Sequence, residues 1–430
     1  MVVEELRARI MKLDNEIDLQ RKLLKKLERE RSLAQGQLNA VLDPMARLPL
    51  EISSEIFLQS LAPSACEVQH VPIVLLNICN AWTEIAKATA ALWTKIAIHF
   101  PCGDGLAEVL PIWFQRASNR ALSITISLRG PSGGWNHHVS SVLWKHGERL
   151  KYLEILHDDD FASRERDGTV DLLGTTSWLP ETSLPSLETL VLRCQHRRRM
   201  YFASQTFELI RLAPNIIELV FDKIELDFDP DSDLNENLEK LFAPTLRRLI
   251  FEDGFEIDYN NDDVLDFLSL PALETLSLRG YCITGETLLD FIERSGAPLQ
   301  ELALGCYNPH SSVSLHQCLR VIPSLTRFTI SDDVSRVIPD LVSALADYPS
   351  LLPHLCNLTI HTWPDGRSDL SDSSWKALVR ALSARRMQFR MVNVALSPPA
   401  DFLASLRELV LDGVEIYIGS EERNFIAQSP

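Results

Sequence analysis

The sequence predicts an α/β protein: a long N-terminal helix and a small helical bundle, followed by a stack of repeated strand–helix units. Three observations carry this. A ladder of apolar residues runs through the first forty positions, a short set of amphipathic segments follows, and then an apolar phrase of the form Leu-x-x-Leu-x-Leu or a close variant recurs nine times. The phrases start at Leu150, Leu187, Ile216, Leu246, Leu273, Leu299, Leu325, Leu355 and Leu406, and most successive starts lie 26 to 30 residues apart.

The N-terminal ladder is Leu6, Ile10, Leu13, Ile17, Leu24, Leu27, Ala34 and Leu38, in alternating steps of four and three, broken by Gln20 and Arg31. That spacing is a coiled-coil seam. It predicts one helix over residues 1–42, which either pairs with a second copy to form a homodimer or folds as a single amphipathic helix against its own domain.

Residues 43–93 read as a helical bundle. Pro49 opens a helix where its missing N–H is harmless, Glu51 lies in the first turn in favour of the helix dipole, and Ile52 and Ile56 share one face. A second helix carries Leu75, Ile78, Cys79, Trp82 and Ile85 on one stripe, and a third turn brings in Leu92 and Trp93.

The array is expected over residues 94–418, with a tail over 419–430. Ile96, Ile98 and Phe100 alternate with polar neighbours, as do Leu122, Ile124, Ile126 and Leu128, which is the period of a half-buried strand. In each phrase two side chains lie on one face of a strand and a third at its start, and helices are legible between phrases. Asp263, Val264, Phe267 and Leu268 predict one helix, Leu288, Leu289 and Ile292 another, and Trp375, Leu378, Val379 and Leu382 a third. The long last offset predicts an extra strand over residues 389–394. Pro185, Pro214, Pro244, Pro271, Pro323 and Pro353 each precede the first anchor by two residues, ending one helix and starting an extended segment. One strand–helix unit cannot bury its own apolar surface, but stacked units build a continuous core, and periods in the high twenties are those of leucine-rich repeats. The asparagine of a regular repeat is replaced by Gln195, Ile224, Gly254, Tyr281 and Tyr307, so irregular units are expected.

The segment Leu48-Pro49-Leu50-Glu51-Ile52-Ser53-Ser54-Glu55-Ile56-Phe57, with Cys79-Asn80-Ala81-Trp82 and Leu92-Trp93 behind it in order, resembles an F-box. The order coiled coil, F-box, irregular leucine-rich repeats is similar to a large family of F-box-like proteins in mushroom-forming fungi. The stretch over residues 62–72 is a few residues longer than that family's usual spacing. The resemblance implies a three-helix bundle that completes its core on a Skp-type adaptor of a cullin ubiquitin ligase. Carried over residue by residue, it assigns adaptor contact to Leu48, Pro49, Ile52 and Ile56, with Leu76, Cys79 and Trp82 as weaker contacts and Trp82 alternatively in the core. It makes the chain a non-enzymatic substrate-recognition subunit whose repeats capture a target protein. The alternative is a leucine-rich-repeat scaffold whose degenerate F-box only caps the repeats. On the strand face away from the helices, Arg193, Asp222, Arg248, Glu252, Arg279, Glu301, Arg327 and His361 are the charged or titratable candidates for reading the target.

Composition narrows the partners. Net charge is −17 at pH 7, and because residues 1–40 hold nine Lys/Arg against seven Asp/Glu, the rest carries −19. Nucleic-acid binding needs clustered cations, and the only dense run in the array is Arg197, Arg198 and Arg199, read as a solvated turn. No stretch of eighteen apolar residues and no apolar leader is present, so neither membrane insertion nor secretion is expected and the compartment is cytoplasm or nucleus. Eight scattered cysteines never approach Cys-x-x-Cys spacing and read as reduced, packed thiols.

Catalytic and metal motifs fail on inspection. Residues 130–134 match Gly-x-Ser-x-Gly around Ser132, but the same slot in other units is a strand-to-helix turn, and His137 and His138 are too local to act as a distant base. Asp229, Asp231 and Asp233 open a calcium-loop pattern that has Leu234 for glycine and Lys240 for the closing acid. No cofactor or metal is expected.

Overall fold

The computed structural model describes residues 2–60, 71–129, 136–158, 183–195, 199–228, 239–252, 262–308, 311–332, 337–362, 370–394, 397–420 and 423–427. Residues 130–134 with Ser132, the acidic run 229–233, Arg197 and Arg198, and residues 62–70 of the long inter-helix stretch lie outside the described residues. The chain divides into two compact units, the first being residues 1–97 with 109–120, the second 98–108 with 121–430.

In the first unit, α1 (Val2–Leu42) is one unbroken helix. Its seam is exposed: Leu6, Ile10, Leu13, Ile17, Leu24, Leu27 and Leu38 lie open along its length. A 3-10 turn, Pro44–Arg47, is capped by Asp43, whose carboxylate accepts the Met45 N–H at 2.9 Å. α2 (Leu50–Gln59) starts directly after Pro49.

The predicted second helix is broken in two, α3 (Val71–Leu76) and α4 (Asn80–Ala88), with Cys79 extended between them. Local side chains explain the break. The Thr83 hydroxyl donates to the carbonyls of Leu76 (2.8 Å) and Cys79 (3.0 Å), and the Asn77 amide donates to Ile73. Such side chains offer backbone carbonyls an alternative to helical bonding. A 3-10 turn, Ala90–Trp93, buries Leu92 and Trp93, and the Trp93 indole donates to the Ala86 carbonyl at 2.8 Å. Then come β1 (Lys95–Phe100) and α5 (Gly105–Arg116). Trp113 of α5 meets Trp93 edge-on at 4.8 Å, and the Arg116 guanidinium covers the Trp93 ring at 4.4 Å. Residues 109–120 therefore complete the core of the helical unit, although the sequence reading gave everything past residue 94 to the array.

The second unit is built on a large, mostly parallel sheet. Its successive elements are β2 (Leu122–Arg129), α6 (His137–Trp144), β3 (Leu150–Asp158), β4 (Thr189–Cys194), β5 (Arg199–Phe202), α7 (Ala203–Arg211), β6 (Glu218–Asp222), β7 (Ile224–Asp227), β8 (Leu241–Phe242), β9 (Arg248–Glu252), β10 (Leu268–Ser269) and β11 (Thr275–Ile283). There follow α8 (Gly285–Ser295), β12 (Glu301–Tyr307), α9 (Leu315–Arg320), β13 (Arg327–Asp332), α10 (Ile338–Asp347), β14 (Asn357–Thr362), α11 (Asp372–Arg385), β15 (Gln388–Val392), α12 (Ala400–Leu411), β16 (Ile416–Ser420) and β17 (Arg423–Asn424). The sheet order is β1-β2-β3-β4-β6-β9-β11-β12-β13-β14-β15-β16-β17, and from β2 to β16 each strand is parallel to the next. Parallel neighbours require a crossover, which the intervening helices supply in most connections.

The register follows the apolar phrases. Leu153, Leu190, Leu219, Leu249, Leu276, Leu302, Phe328, Leu358 and Phe389 stand opposite one another from strand to strand. Every anchor of the first eight phrases is buried, each stabilising by about 1.5–3 kcal/mol. Phe221 and Phe251 stack at 4.7 Å within the next row. The prolines have a specific place: Leu187, Ile216, Leu246, Leu273, Leu325 and Leu355 each donate N–H to the carbonyl three residues back, with proline directly after that carbonyl. Fixed φ suits proline to this second position of a tight turn. At Pro298 the register slips, and Leu299 bonds to Ala297 instead.

Three expectations change. The ninth phrase, at Leu406, lies in α12 and not in a strand, because Phe402, Leu403, Leu406 and Leu409 also fit helical spacing after Pro399; the strand comes later, at β16. The segment from Asp263 to Leu268 forms a 3-10 turn, Asp262–Phe267, and then β10, since Leu268 and Ser269 pair in parallel with Leu241 and Phe242. A second small ladder, β5 with β7, was invisible in the sequence. The predicted helices at Leu288 and Trp375 and the extra strand are present as α8, α11 and β15.

Between α8 and α9 one carboxylate organises a loop. Glu286 accepts from the hydroxyls of Ser311 and Ser312 and from the N–H groups of Ser312 (2.6 Å) and Val313 (3.3 Å). These bonds, led by that from Ser311, lower its pKa from 4.5 to about 2. Because the folded value lies below the unfolded one, this contribution is present above about pH 4.5 and disappears as pH falls towards 2. Glu286→Gln is expected to speed hydrogen exchange at the Ser312 and Val313 amides at pH 7 and to remove its change between pH 5 and 3; wild-type rates in the variant would refute this.

Candidate functional site

Two surfaces carry the candidate residues, one in each unit. In the helical unit α2 is two-faced. Ser53 and Phe57 are buried, with the Ser53 hydroxyl donating to the carbonyls of Met45 (3.2 Å) and Pro49 (3.3 Å) and the Phe57 ring against Trp82 at 4.9 Å. The other face keeps Ile52 50% and Ile56 44% exposed, and Leu48, four residues ahead of Ile52, is 39% exposed. Pro49 is exposed as well.

The weaker candidates sit deeper. Leu76, Cys79 and Trp82 are half-buried. The Trp82 indole donates to Asp43, and the Cys79 Sγ lies 3.5 Å from the same carboxylate. Trp82 thus packs on Phe57 and Asp43 along one side while staying partly exposed, and Asp43 holds both the turn ahead of α2 and the start of α4. Sequence reasoning missed Leu50, Ile73 and Val74 as exposed apolar side chains. Leu50 could have been found from its place in the Leu-Pro-Leu run, but Ile73 and Val74 carried no signal until α3 was separated from α4.

The second surface is the face of the sheet opposite the apolar anchors. Successive strand side chains alternate between faces, so Glu218, Arg248, Thr275, Glu301 and Arg327 form one row across the strands. A further row holds Arg193, Asp222 and Glu252, with Arg279, Ser331 and His361 at the corresponding places of later strands. Much of the row pairs internally: Arg248 with Glu218 at 3.1 Å, Arg327 with Glu301 at 2.7 Å, and Arg193 with Asp222 at 2.8 Å. Arg193 also reaches Glu154 at 3.4 Å. Glu154 is only 2% exposed and accepts from Thr125 (3.2 Å) and Tyr152 (3.3 Å). Burial, then the Glu154 charge, raises the Tyr152 phenol to about 12.

Among the described residues Glu252, Arg279 and His361 form no ion pair, and Arg390 of β15 lies on the same face of the sheet. Burial first, then the charges of Arg279 and Arg390, lower the pKa of His361. Arg390 was not among the sequence candidates, although it falls within the extra strand expected over residues 389–394.

No family model matches the chain, and no curated protein matches it significantly. Among the described residues no helix is long and apolar enough to cross a membrane, and no group of three or more His, Cys, Asp or Glu is placed to hold a metal ion.

Proposed function

We propose that the chain is a substrate-recognition subunit of a Skp–cullin–F-box type ubiquitin ligase, docking an adaptor through the bundle over residues 43–93 and a target protein through a leucine-rich-repeat solenoid. The carrying observation is the exposed apolar face of Leu48, Pro49, Ile52 and Ile56 beside a well-packed inner face of the same helix. A small bundle that leaves branched aliphatic side chains open is of the kind that completes its core on a partner. In-register leucine rows and parallel strands in chain order support the solenoid reading. In this reading the chain performs no transfer chemistry; it brings a target to the ligase. Purified full-length chain mixed with a Skp-type adaptor is expected to co-elute with it in size-exclusion chromatography. Separate elution at tens of micromolar would leave a plain interaction scaffold with a degenerate F-box.

The exposed seam of α1 supports self-association in the same assembly. The full chain is expected to have twice its monomer mass in solution at micromolar concentration, and a chain beginning at Asp43 to be monomeric. Equal monomeric masses would overturn the dimer.

A further inference from the structure

The seam of α1 carries a direction as well as an apolar face. Lettered as heptads with a and d as the seam, Ile10, Ile17, Leu24 and Arg31 fall at a, and Leu6, Leu13, Gln20, Leu27 and Ala34 at d. The apolar members from Leu6 to Leu27 are each about half exposed along one unbroken helix. The positions flanking the seam, e and g, are charged in blocks: Arg7 and Arg9, then Asp14 and Glu16, then Arg21, then Glu28 and Glu30.

Those blocks discriminate between three ways of pairing two such helices, because flanking charges set orientation and register. In a parallel pair every residue meets its own copy across the seam. Arg9 then faces Asp14 and Glu16 faces Arg21, but Arg31 is set against Arg31 and Gln20 against Gln20. An antiparallel pair with Gln20 opposite Leu24 sets Glu16 against Glu30, Asp14 against Glu28 and Arg21 against its own copy, all of them repulsive. Sliding that pair by one heptad reverses the result. Leu6 comes opposite Arg31, Ile10 opposite Leu27, Leu13 opposite Leu24 and Ile17 opposite Gln20. Arg9 now faces Glu30, Arg7 faces Glu28 and Asp14 faces Arg21, and symmetry makes each of these contacts twice. The polar seam residues no longer meet their own kind. Each lies against an aliphatic side chain, and Arg31 runs its stem along Leu6 with its guanidinium in water. Bonds within one helix compete little, since Arg21 with Asp18 at 3.7 Å and Glu30 with Lys26 at 3.8 Å are exposed pairs.

We propose that α1 pairs with a second copy of this chain as a staggered antiparallel coiled coil, held in register by Arg7 and Arg9 against Glu28 and Glu30. The inference rests on the self-association read from the same seam. With a rise of 1.5 Å per residue the two copies of Leu42, where α1 ends, lie about 70 Å apart. The two helical bundles therefore leave the coil at opposite ends, and two adaptors can be held at once without meeting.

Disulfide trapping in the full chain tests the direction, and mass in solution tests the association separately. Leu6→Cys and Arg31→Cys chains, mixed and equilibrated in a glutathione redox buffer, are expected to cross-link to each other. Neither variant alone should cross-link above the wild type, whose own thiols set the background. Charge reversal under reducing conditions gives an independent measure. Arg7→Glu with Arg9→Glu should raise the dimer dissociation constant about tenfold in analytical ultracentrifugation, and adding Glu28→Arg with Glu30→Arg should restore it. The proposal is overturned if each cysteine variant links to itself, if the mixture links no more than the wild type, or if the second reversal fails to rescue the first. A wild-type dimer with self-linked variants keeps the association and discards the direction, and a wild-type monomer discards both.

Discussion

Leu276→Asp is expected to unfold β9, β11 and β12 together and to lower the melting temperature of the whole second unit. Leu276 is fully buried and stands in register between Leu249 and Leu302, so no rearrangement within its own strand gives a carboxylate access to water. Truncation to alanine at such a site costs about 3 kcal/mol, and an unpaired buried charge costs more. Hydrogen exchange should rise at the amides of residues 248–252 and 301–304 as well as at 275–278. The contrast is Arg327→Ala, which removes an exposed ion pair worth about 0–1 kcal/mol and should leave exchange unchanged. Loss of protection confined to β11 would show that the strands do not share one core.

The same residues show why so much of this sheet was legible in sequence and where legibility ended. Leu249, Leu276 and Leu302 announce their strands because the requirement is purely apolar and repeats at each layer, and a tight turn led by proline places the first anchor ahead of Leu249 and Leu276, with the slipped turn at Pro298 ahead of Leu302. At Leu406 the same letters failed, since leucines three and five apart serve a helix as well as a strand; Pro399 and the later Ile416 and Ile418 decide the matter. The ladders β5–β7 and β8–β10 are too short for any periodicity to register. Candidate sites divided in a similar way. Ile52 and Ile56 were readable from one helix, whereas the bond of Trp82 to Asp43 joins positions 39 apart and required the fold. Arg390 escaped because neighbouring strands, not neighbouring residues, place it beside His361.

Ile52→Asp and Ile56→Asp are expected to abolish adaptor binding while leaving the protein folded. Both side chains are about half exposed in the free chain, so a carboxylate there stays hydrated and changes stability by no more than about 0.5 kcal/mol. In a complex the same carboxylates would be buried against an apolar partner without compensation, which is far more costly. The milder Leu48→Ala with Pro49→Ala should weaken binding about thirtyfold for an anchor worth about 2 kcal/mol. Phe57→Ala supplies the opposite case. That ring is 1% exposed and packs on Trp82, so its loss should destabilise the bundle by about 3–5 kcal/mol and reduce binding through unfolding, with a visible change in thermal melting. Binding lost with the fold intact for Ile52 and Ile56, and lost together with the fold for Phe57, separates a docking face from a core. If the two isoleucine variants bind the adaptor as the wild type does, the exposed face of α2 is not where an adaptor sits, and the ubiquitin-ligase reading loses the observation that carries it.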